Sequence, residues 1–152
     1  MHTSFIIDAL TNPILLSGFF ASAVAQAIKS LVHLKKTGQY DWRWLFRDAG
    51  MPSAHTATVT AMTLAVYFDE GFSNLFFVSL ILSSIVIRDV LGDKIFAEKT
   101  EDAINEFLSK IQHFFAGERV EWKHFIGHTI REVIAGFAVG VAVALIVQRL
   151  IY

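Results

Sequence analysis

Residues 50–56, with the sequence Gly-Met-Pro-Ser-Ala-His-Thr, open a stretch that carries no charged residue until Asp69. Residues 127–132, Gly-His-Thr-Ile-Arg-Glu, open a second stretch, which runs without charge from Glu132 to Arg149. Each motif places a histidine at the start of an apolar run close to the ~20 residues that a helix needs to cross a bilayer. Two such entrances in one small hydrophobic chain favour a single anion pocket.

The composition indicates a membrane protein. Of 152 residues, 54% are hydrophobic, and the mean hydropathy of +0.50 is high for a soluble domain. The charge-free gaps predict one all-α integral membrane domain, residues 1–152, with about four transmembrane helices. These helices are predicted at residues 10–30, 52–68, 71–88 and 130–150. A soluble bundle would need a polar face in every segment, and residues 75–87 contain no charged residue.

Charge also limits the partners and the orientation. A net charge of −1 argues against nucleic-acid binding. Lys and Arg concentrate in the two long connections, whereas the connection at residues 69–71 is short and acidic. Because cytoplasmic loops carry the excess of basic residues, both long connections are predicted in the cytoplasm and both termini outside. Both histidine motifs of this multi-pass protein are then predicted on the cytoplasmic side of the membrane, in contact with membrane lipid.

The second long connection is predicted to contain an amphipathic helix at about 98–115. Its apolar residues recur at the i, i+3, i+4, i+7 spacing of one helix face. They are Ile104, Phe107, Leu108, Ile111, Phe114 and Phe115. Because its polar face is acidic, we expect this helix to pack as a lid or a dimer surface rather than to adhere to anionic lipid.

The entrance to the second span is suited to an anion. Pro52 fits the first position of a helix, and Ser53 and His55 would lie in the first turn. Backbone N–H groups and the positive end of the helix dipole favour an anion there, to which Ser53 adds a hydroxyl and His55 a titratable proton. The alternative is that Ser53 only caps the helix and His55 lies at the membrane interface.

The entrance to the fourth span places an ionisable pair on one helix face. His128 and Glu132 are four residues apart, and Gly136, Gly140 and Ala144 continue the stripe. Small residues let membrane helices pack closely, either within the bundle or in a homo-oligomer. A carboxylate bonded to one imidazole nitrogen leaves the other nucleophilic. A pair that serves only helix association is the alternative.

The first span has a polar face of its own. Gly18, Ser22 and Gln26 recur every four residues, and Lys29 follows Gln26 by three. Such residues usually serve helix packing. Lys29 can reach the pocket, but a lysine near a helix end usually extends its ammonium group to the lipid surface.

Together these motifs resemble the small divergent membrane branch of the type-2 phosphatidic acid phosphatase and vanadium haloperoxidase superfamily. The resemblance rests on residues 50–55 and on Gly127 and His128 followed by Glu132 and Gly136. A second block of that branch is similar to Asp89, Gly92, Lys94 and Asn105. The match extends over roughly residues 26–140.

The resemblance implies hydrolysis of a lipid or isoprenoid phosphate through a phosphohistidine, with no metal and no other cofactor. His128 would attack phosphorus, Glu132 would orient it, and His55 would protonate the leaving alkoxide. Basic side chains would neutralise the charge on the transferring group. The residues implied to hold the phosphoryl oxygens are Ser53, Arg43, Lys94 and Lys123.

The chain departs from the superfamily pattern at three of these positions. Ala54 replaces a glycine, Glu132 replaces an aspartate, and Lys123 stands near the place of an arginine. Lysine lacks the fork with which arginine matches phosphate. The departures motivate an alternative function, a non-catalytic membrane protein that keeps an anion or lipid-headgroup site for binding or assembly. Haloperoxidase chemistry, transport and a metal site at the two histidines are less favoured.

Overall fold

A computed structural model describes residues 10–39, 42, 50–114 and 128–151 of the chain. Within these residues the chain forms four α-helices and no strand. The helices are α1 (Pro13–Thr37), α2 (Ala54–Glu70), α3 (Asn74–Phe114) and α4 (Ile130–Ile151). The all-α prediction is confirmed, and the four helices follow the order of the predicted spans.

Helix α2 lies at the centre of the bundle, and α1, α3 and α4 all pack against it. The core between α1, α2 and α4 consists mainly of small side chains. Fully buried examples are Ala21 and Ala25 of α1, Ala57 and Ala61 of α2, and Ala144 of α4. Because such residues let helix axes approach closely, the bundle is held by close backbone packing rather than by large interlocking side chains.

Large apolar side chains cover the outside of the other three helices. Phe19 of α1, Ile81 of α3 and Ile134 of α4 are all exposed. These three helices are long and apolar enough to cross a membrane. Helix α2 has 17 residues and buries three of its four threonines, Thr56, Thr60 and Thr63, which its neighbours shield. The exterior is therefore suited to lipid, and the polar residues face inward.

Helix α3 differs from the prediction. It continues without a break for 41 residues, so residues 98–114 of the predicted amphipathic segment lie in the second half of this helix and do not form a separate element. The predicted helical spacing is correct, but the predicted boundary is wrong. Residues 88–98 contain no proline and one glycine, Gly92, so nothing in them ends a helix. The onset of charge at Arg88 marks the end of the apolar zone, not the end of the helix.

A short turn joins α2 to α3 at the C-terminal end of α2, far from the 50–56 motif at its start. Gly71 has a φ of 66°, which favours glycine, and its N–H donates to the Tyr67 carbonyl over 2.8 Å. The rings of Tyr67, Phe72 and Phe76 contact one another around this turn, with centroids 5.0, 5.6 and 5.4 Å apart. Tyrosine is favoured where a membrane meets water. The turn therefore fits the boundary opposite the histidine motifs.

Helix α4 approaches α2 closely at two glycines. A Cβ atom on Gly140 would lie 2.6 Å from the carbonyl oxygen of Ala57, and one on Gly136 would collide with the carbonyl oxygen of Ser53. Ordinary contacts of a Cβ atom are longer than these. The small-residue stripe predicted in the fourth span therefore packs within the bundle, against α2.

Replacing Gly140 by alanine should destabilise the bundle by about 1–3 kcal/mol, the usual cost of overpacking. Gly92→Ala is the matched control, because nothing lies within 4 Å of a Cβ atom added there. The control should leave stability unchanged or raise it by ~0.5–1 kcal/mol. Thermal unfolding in detergent, followed by circular dichroism, measures both variants. Equal stability of the two would contradict the close approach of α4 to α2.

Candidate active site

The start of α2 is fixed by Ser53, which is completely buried. Its hydroxyl oxygen accepts hydrogen bonds from the Thr56 N–H, over 3.3 Å, and from the Thr56 hydroxyl, over 3.1 Å. Ser53 is thus the N-cap, and the helix begins at Ala54. The structure shows Ser53 capping the helix, which is the alternative role that the sequence left open. Binding of a phosphoryl oxygen by Ser53 stays a prediction.

The start of α4 is bonded to both α2 and α3. The Ser53 N–H donates to the Glu132 carbonyl over 2.9 Å, and the His128 N–H donates to the Val90 carbonyl over 3.2 Å. Thr129 and Glu132 form a capping box, in which the Thr129 N–H donates to the carboxylate over 2.7 Å. These bonds bring the first turns of α2 and α4 together at the level of Val90.

The histidines of the two sequence motifs meet at this place. The ring centroids of His55 and His128 are 6.1 Å apart, and the ring planes are inclined by 59°. The rings are too far apart for a direct hydrogen bond, which spans ~3 Å. They are close enough to contact one small group bound between them. His128 is only 2% exposed, whereas His55 is exposed.

Glu132 orients the imidazole of His128. The distance from Nδ1 of His128 to Oε2 of Glu132 is 3.3 Å. Because a carboxylate only accepts, this contact favours the proton on Nδ1 and leaves Nε2 unprotonated. The second bond of the same carboxylate, from the Thr129 N–H, fixes the orienting group in turn. This is the relation of His128 to Glu132 that the four-residue spacing predicts.

Lys29 of α1 belongs to the same neighbourhood. Its side chain is only 2% exposed, so the expectation that its ammonium group extends to the lipid surface is wrong. Its positive charge acts on His128. The sequence places Lys29 on the polar face of the first span, but Lys29 is not among the predicted site residues. Burial of the side chain depends on the neighbouring helices, which the spacing alone does not reveal.

Burial lowers the pKa of His128 below its ordinary value of 6.5. The Glu132 carboxylate opposes this shift, and the positive charges of Lys29 and His55 add to it. The net effect is a lowered pKa, so that His128 is neutral at pH 7. A neutral imidazole has the free electron pair that a nucleophile needs.

The predicted phosphate-binding cations are not all placed. Arg43 and Lys123 lie outside the described residues. Lys94 lies on α3, one turn beyond Val90, and its ammonium group forms an ion pair with Glu98 over 3.5 Å. This pair directs the Lys94 side chain along α3, away from the level of His128. Binding of phosphate by these three residues stays a prediction.

The fold and this site define a small helical membrane protein with a histidine pair at the meeting point of two helix starts. The chain belongs to the divergent PAP2 family, whose profile matches residues 10–143 and so includes both histidine motifs. It is 31% identical over 152 residues to the "Uncharacterized membrane protein YuiD" of Bacillus subtilis (strain 168). That alignment covers 92% of this chain and 96% of the relative. No solved structure matches the chain.

Two substitutions should move the pKa of His128 in opposite directions. Glu132→Gln removes a negative charge and should lower it, whereas Lys29→Met removes a positive charge and should raise it. In the unchanged protein His128 should titrate below 6.5, its neutral form dominating above that midpoint. Nuclear magnetic resonance of labelled imidazoles against pH measures the three midpoints. Lys35→Met, at an exposed position of α1, is the control and should leave the pKa of His128 unchanged. Equal pKa values in all variants would contradict the placement of Glu132 and Lys29 beside His128.

Proposed function

We propose that this protein is a membrane phosphatase that hydrolyses the phosphomonoester of a lipid or isoprenoid through a phosphohistidine at His128. One observation carries the proposal. A buried imidazole oriented by a carboxylate lies 6.1 Å, between ring centroids, from a second and exposed imidazole. Membership of the divergent PAP2 family supports the same chemistry. A pocket at the end of membrane helices selects a substrate whose tail stays in the lipid.

In the first step, Nε2 of His128 attacks phosphorus. A nitrogen–phosphorus bond forms, and the bond from phosphorus to the ester oxygen breaks. His55, protonated at this stage, donates its proton to the leaving alkoxide, which departs as an alcohol. The positive charge that develops on the His128 ring is stabilised by the Glu132 carboxylate at Nδ1.

In the second step, water attacks the phosphorus of the phosphohistidine. His55, now neutral, takes a proton from the attacking water, and the nitrogen–phosphorus bond breaks. Orthophosphate leaves, His128 returns to its neutral form, and His55 is again protonated. The cycle uses one water and releases one alcohol and one phosphate, with no change in oxidation state.

The charge of the phosphate is balanced from two sides. The Lys29 ammonium group is a cation close enough to act on His128. The first turn of α2, which carries His55, provides the positive end of a helix dipole. Positive groups fixed before the reaction stabilise the transferring phosphoryl group without rearrangement. Arg43 and Lys123, from the two long connections, are proposed to complete this set.

Removal of either histidine should abolish most phosphate release by the purified protein. His128→Ala and His55→Ala should each lose at least ~10²-fold in kcat on a lipid phosphate. A nitrophenyl ester, whose leaving group needs no proton, should restore part of the activity of His55→Ala and none of that of His128→Ala. His33→Ala is the control, because that ring contacts Thr37 at the end of α1. Equal release by all variants would rule out the mechanism.

Vanadate separates catalysis from simple binding. It adopts the five-coordinate geometry of the reacting phosphorus, so a competent site should bind it with inhibition of turnover. Binding of phosphate or vanadate without any turnover would instead favour the non-catalytic alternative, an anion site kept for headgroup binding or assembly.

We also propose that all four helices cross the membrane and that the histidines lie on its cytoplasmic side. Helix α2 is about 25 Å long at ~1.5 Å per residue, slightly short of a ~30 Å hydrocarbon core. Because consecutive helices cross the membrane in opposite directions, the two ends of α2 lie on opposite sides of it. The basic last turn of α1, with Lys35 and Lys36, lies at the end of the bundle that carries the site.

Single cysteines should report this orientation without interference, because the chain contains no cysteine. Lys35→Cys should react with a membrane-impermeant maleimide only from the cytoplasmic side, and Glu70→Cys only from the opposite side. Both positions are exposed. Labelling of right-side-out and inverted vesicles makes the comparison. Reaction of both cysteines from one side would contradict the crossing of α2.

A further inference from the structure

Helix α1 carries three polar side chains at the end that lies near the histidines. Gln26, Lys29 and Ser30 are spaced by three and four residues and therefore adjoin on the helix surface. The side-chain oxygens of Gln26 and Ser30 are both buried, and within the described part of the chain neither has a hydrogen-bond partner. Buried polar atoms are nearly always paired, so two neighbouring exceptions call for an explanation.

Helix packing does not explain these two residues. Helix α1 packs against α2 through Gly18, which faces Met62, and through the fully buried Ala21 and Ala25. Apolar side chains at positions 26 and 30 would fill the same space without leaving a polar atom unpaired. Polar residues of this kind usually serve helix packing by bonding to a neighbouring helix, and these two oxygens make no such bond within the described residues.

The two unpaired oxygens belong to the same helix turn as the cation of the site. Lys29 lies between Gln26 and Ser30 in the sequence, is buried, and places its charge close enough to act on His128. In the proposed reaction this charge faces the phosphate. A group bound to Gln26 and Ser30 would therefore lie within about one helix turn of the cation that faces the phosphate.

We propose that Gln26 and Ser30 form a head-group subsite that binds a hydroxyl of the substrate close to its phosphate, an inference that rests on the proposed function. An amide oxygen only accepts a hydrogen bond, so its partner must be a donor, and a serine hydroxyl can donate in return. A hydroxyl satisfies both requirements. The substrate class is then a lipid phosphomonoester with a hydroxyl near phosphorus, such as a glycerol-based phosphate. An isoprenyl chain carries no such donor.

Three non-hydrolysable phosphonates with the same alkyl tail test the subsite. One carries a hydroxyl on the second carbon from phosphorus, one carries the methyl ether of that hydroxyl, and one carries hydrogen there. Titration calorimetry with the full chain in detergent measures their affinities. The unchanged protein should bind the hydroxyl compound about tenfold more tightly than the other two, since only that compound gives the buried acceptor a hydrogen-bond donor.

Conservative substitutions should remove this preference. Gln26→Met keeps the shape of the side chain and Ser30→Ala removes only the hydroxyl, and each should bring the three affinities to within ~2-fold. Ser22→Ala is the matched control, because Ser22 lies on the same face one turn further from Lys29. The control should keep the full preference for the hydroxyl compound.

The outcomes separate the subsite from the catalysis. Equal binding of the three phosphonates by the unchanged protein, binding of none of them, or an unaltered preference in both variants would overturn the inference. Preference for the hydroxyl compound without hydrolysis of any matching phosphate would support the subsite and overturn the phosphatase. Hydrolysis that is equally fast with and without the hydroxyl would support the phosphatase and overturn the subsite.

Discussion

The hydrogen bond from the Ser53 N–H to the Glu132 carbonyl joins the first turns of α2 and α4, and the geometry of the site depends on it. The two helices can approach closely enough for this bond because Gly136 and Gly140 present no side chain to α2. His55 follows Ser53 by two residues, and His128 precedes Glu132 by four. Each histidine is therefore within about a turn of the bond, and its distance from the other is set by the backbone.

Glu132 connects the local structure of α4 to the chemistry of the site. As the last residue of a capping box, its carboxylate accepts from the Thr129 N–H and stabilises the start of the helix. The same oxygen contacts Nδ1 of His128. A glutamate is the residue that usually completes such a box, and its longer side chain reaches both partners. The replacement of the superfamily's aspartate by Glu132 is thus compatible with an oriented imidazole.

The sequence was sufficient to predict the features that depend on local spacing. The charge-free gaps located four helices, the four-residue interval paired His128 with Glu132, and the small residues at 136 and 140 marked the packing face of α4. The continuity of α3 was missed because charge records where a helix leaves the apolar zone and not where it ends. The spacing left open whether Lys29 is buried, because burial depends on the neighbouring helices. Ser53 caps α2, which is one of the two roles that the sequence left open, and its binding of a phosphoryl oxygen stays a prediction.

The positions of the residues in the two long connections could not be predicted from helical spacing. Arg43 and Lys123 were proposed from a family resemblance, and no helical spacing relates either of them to the histidines. A residue inside a regular helix is placed by its neighbours three and four positions away. A residue in a connection is placed by contacts that the sequence does not encode locally. The helical spacing therefore predicts the histidine pair and Glu132, whereas the cations from the connections need information beyond it.

The central position of α2 has a consequence for biogenesis. Its threonines at 56, 60 and 63 are buried among the other helices, and Thr63 shares a 2.7 Å hydrogen bond with Ser83 of α3. Without α3, the Thr63 hydroxyl would lack this partner. The short turn at residues 71–73 lets α2 pair with α3 as a helical hairpin, and this pairing alone provides the partner of Thr63. The two histidines come together only when α4, the last of the four helices in the chain, packs on α2, so a chain that ends before α4 lacks the paired site.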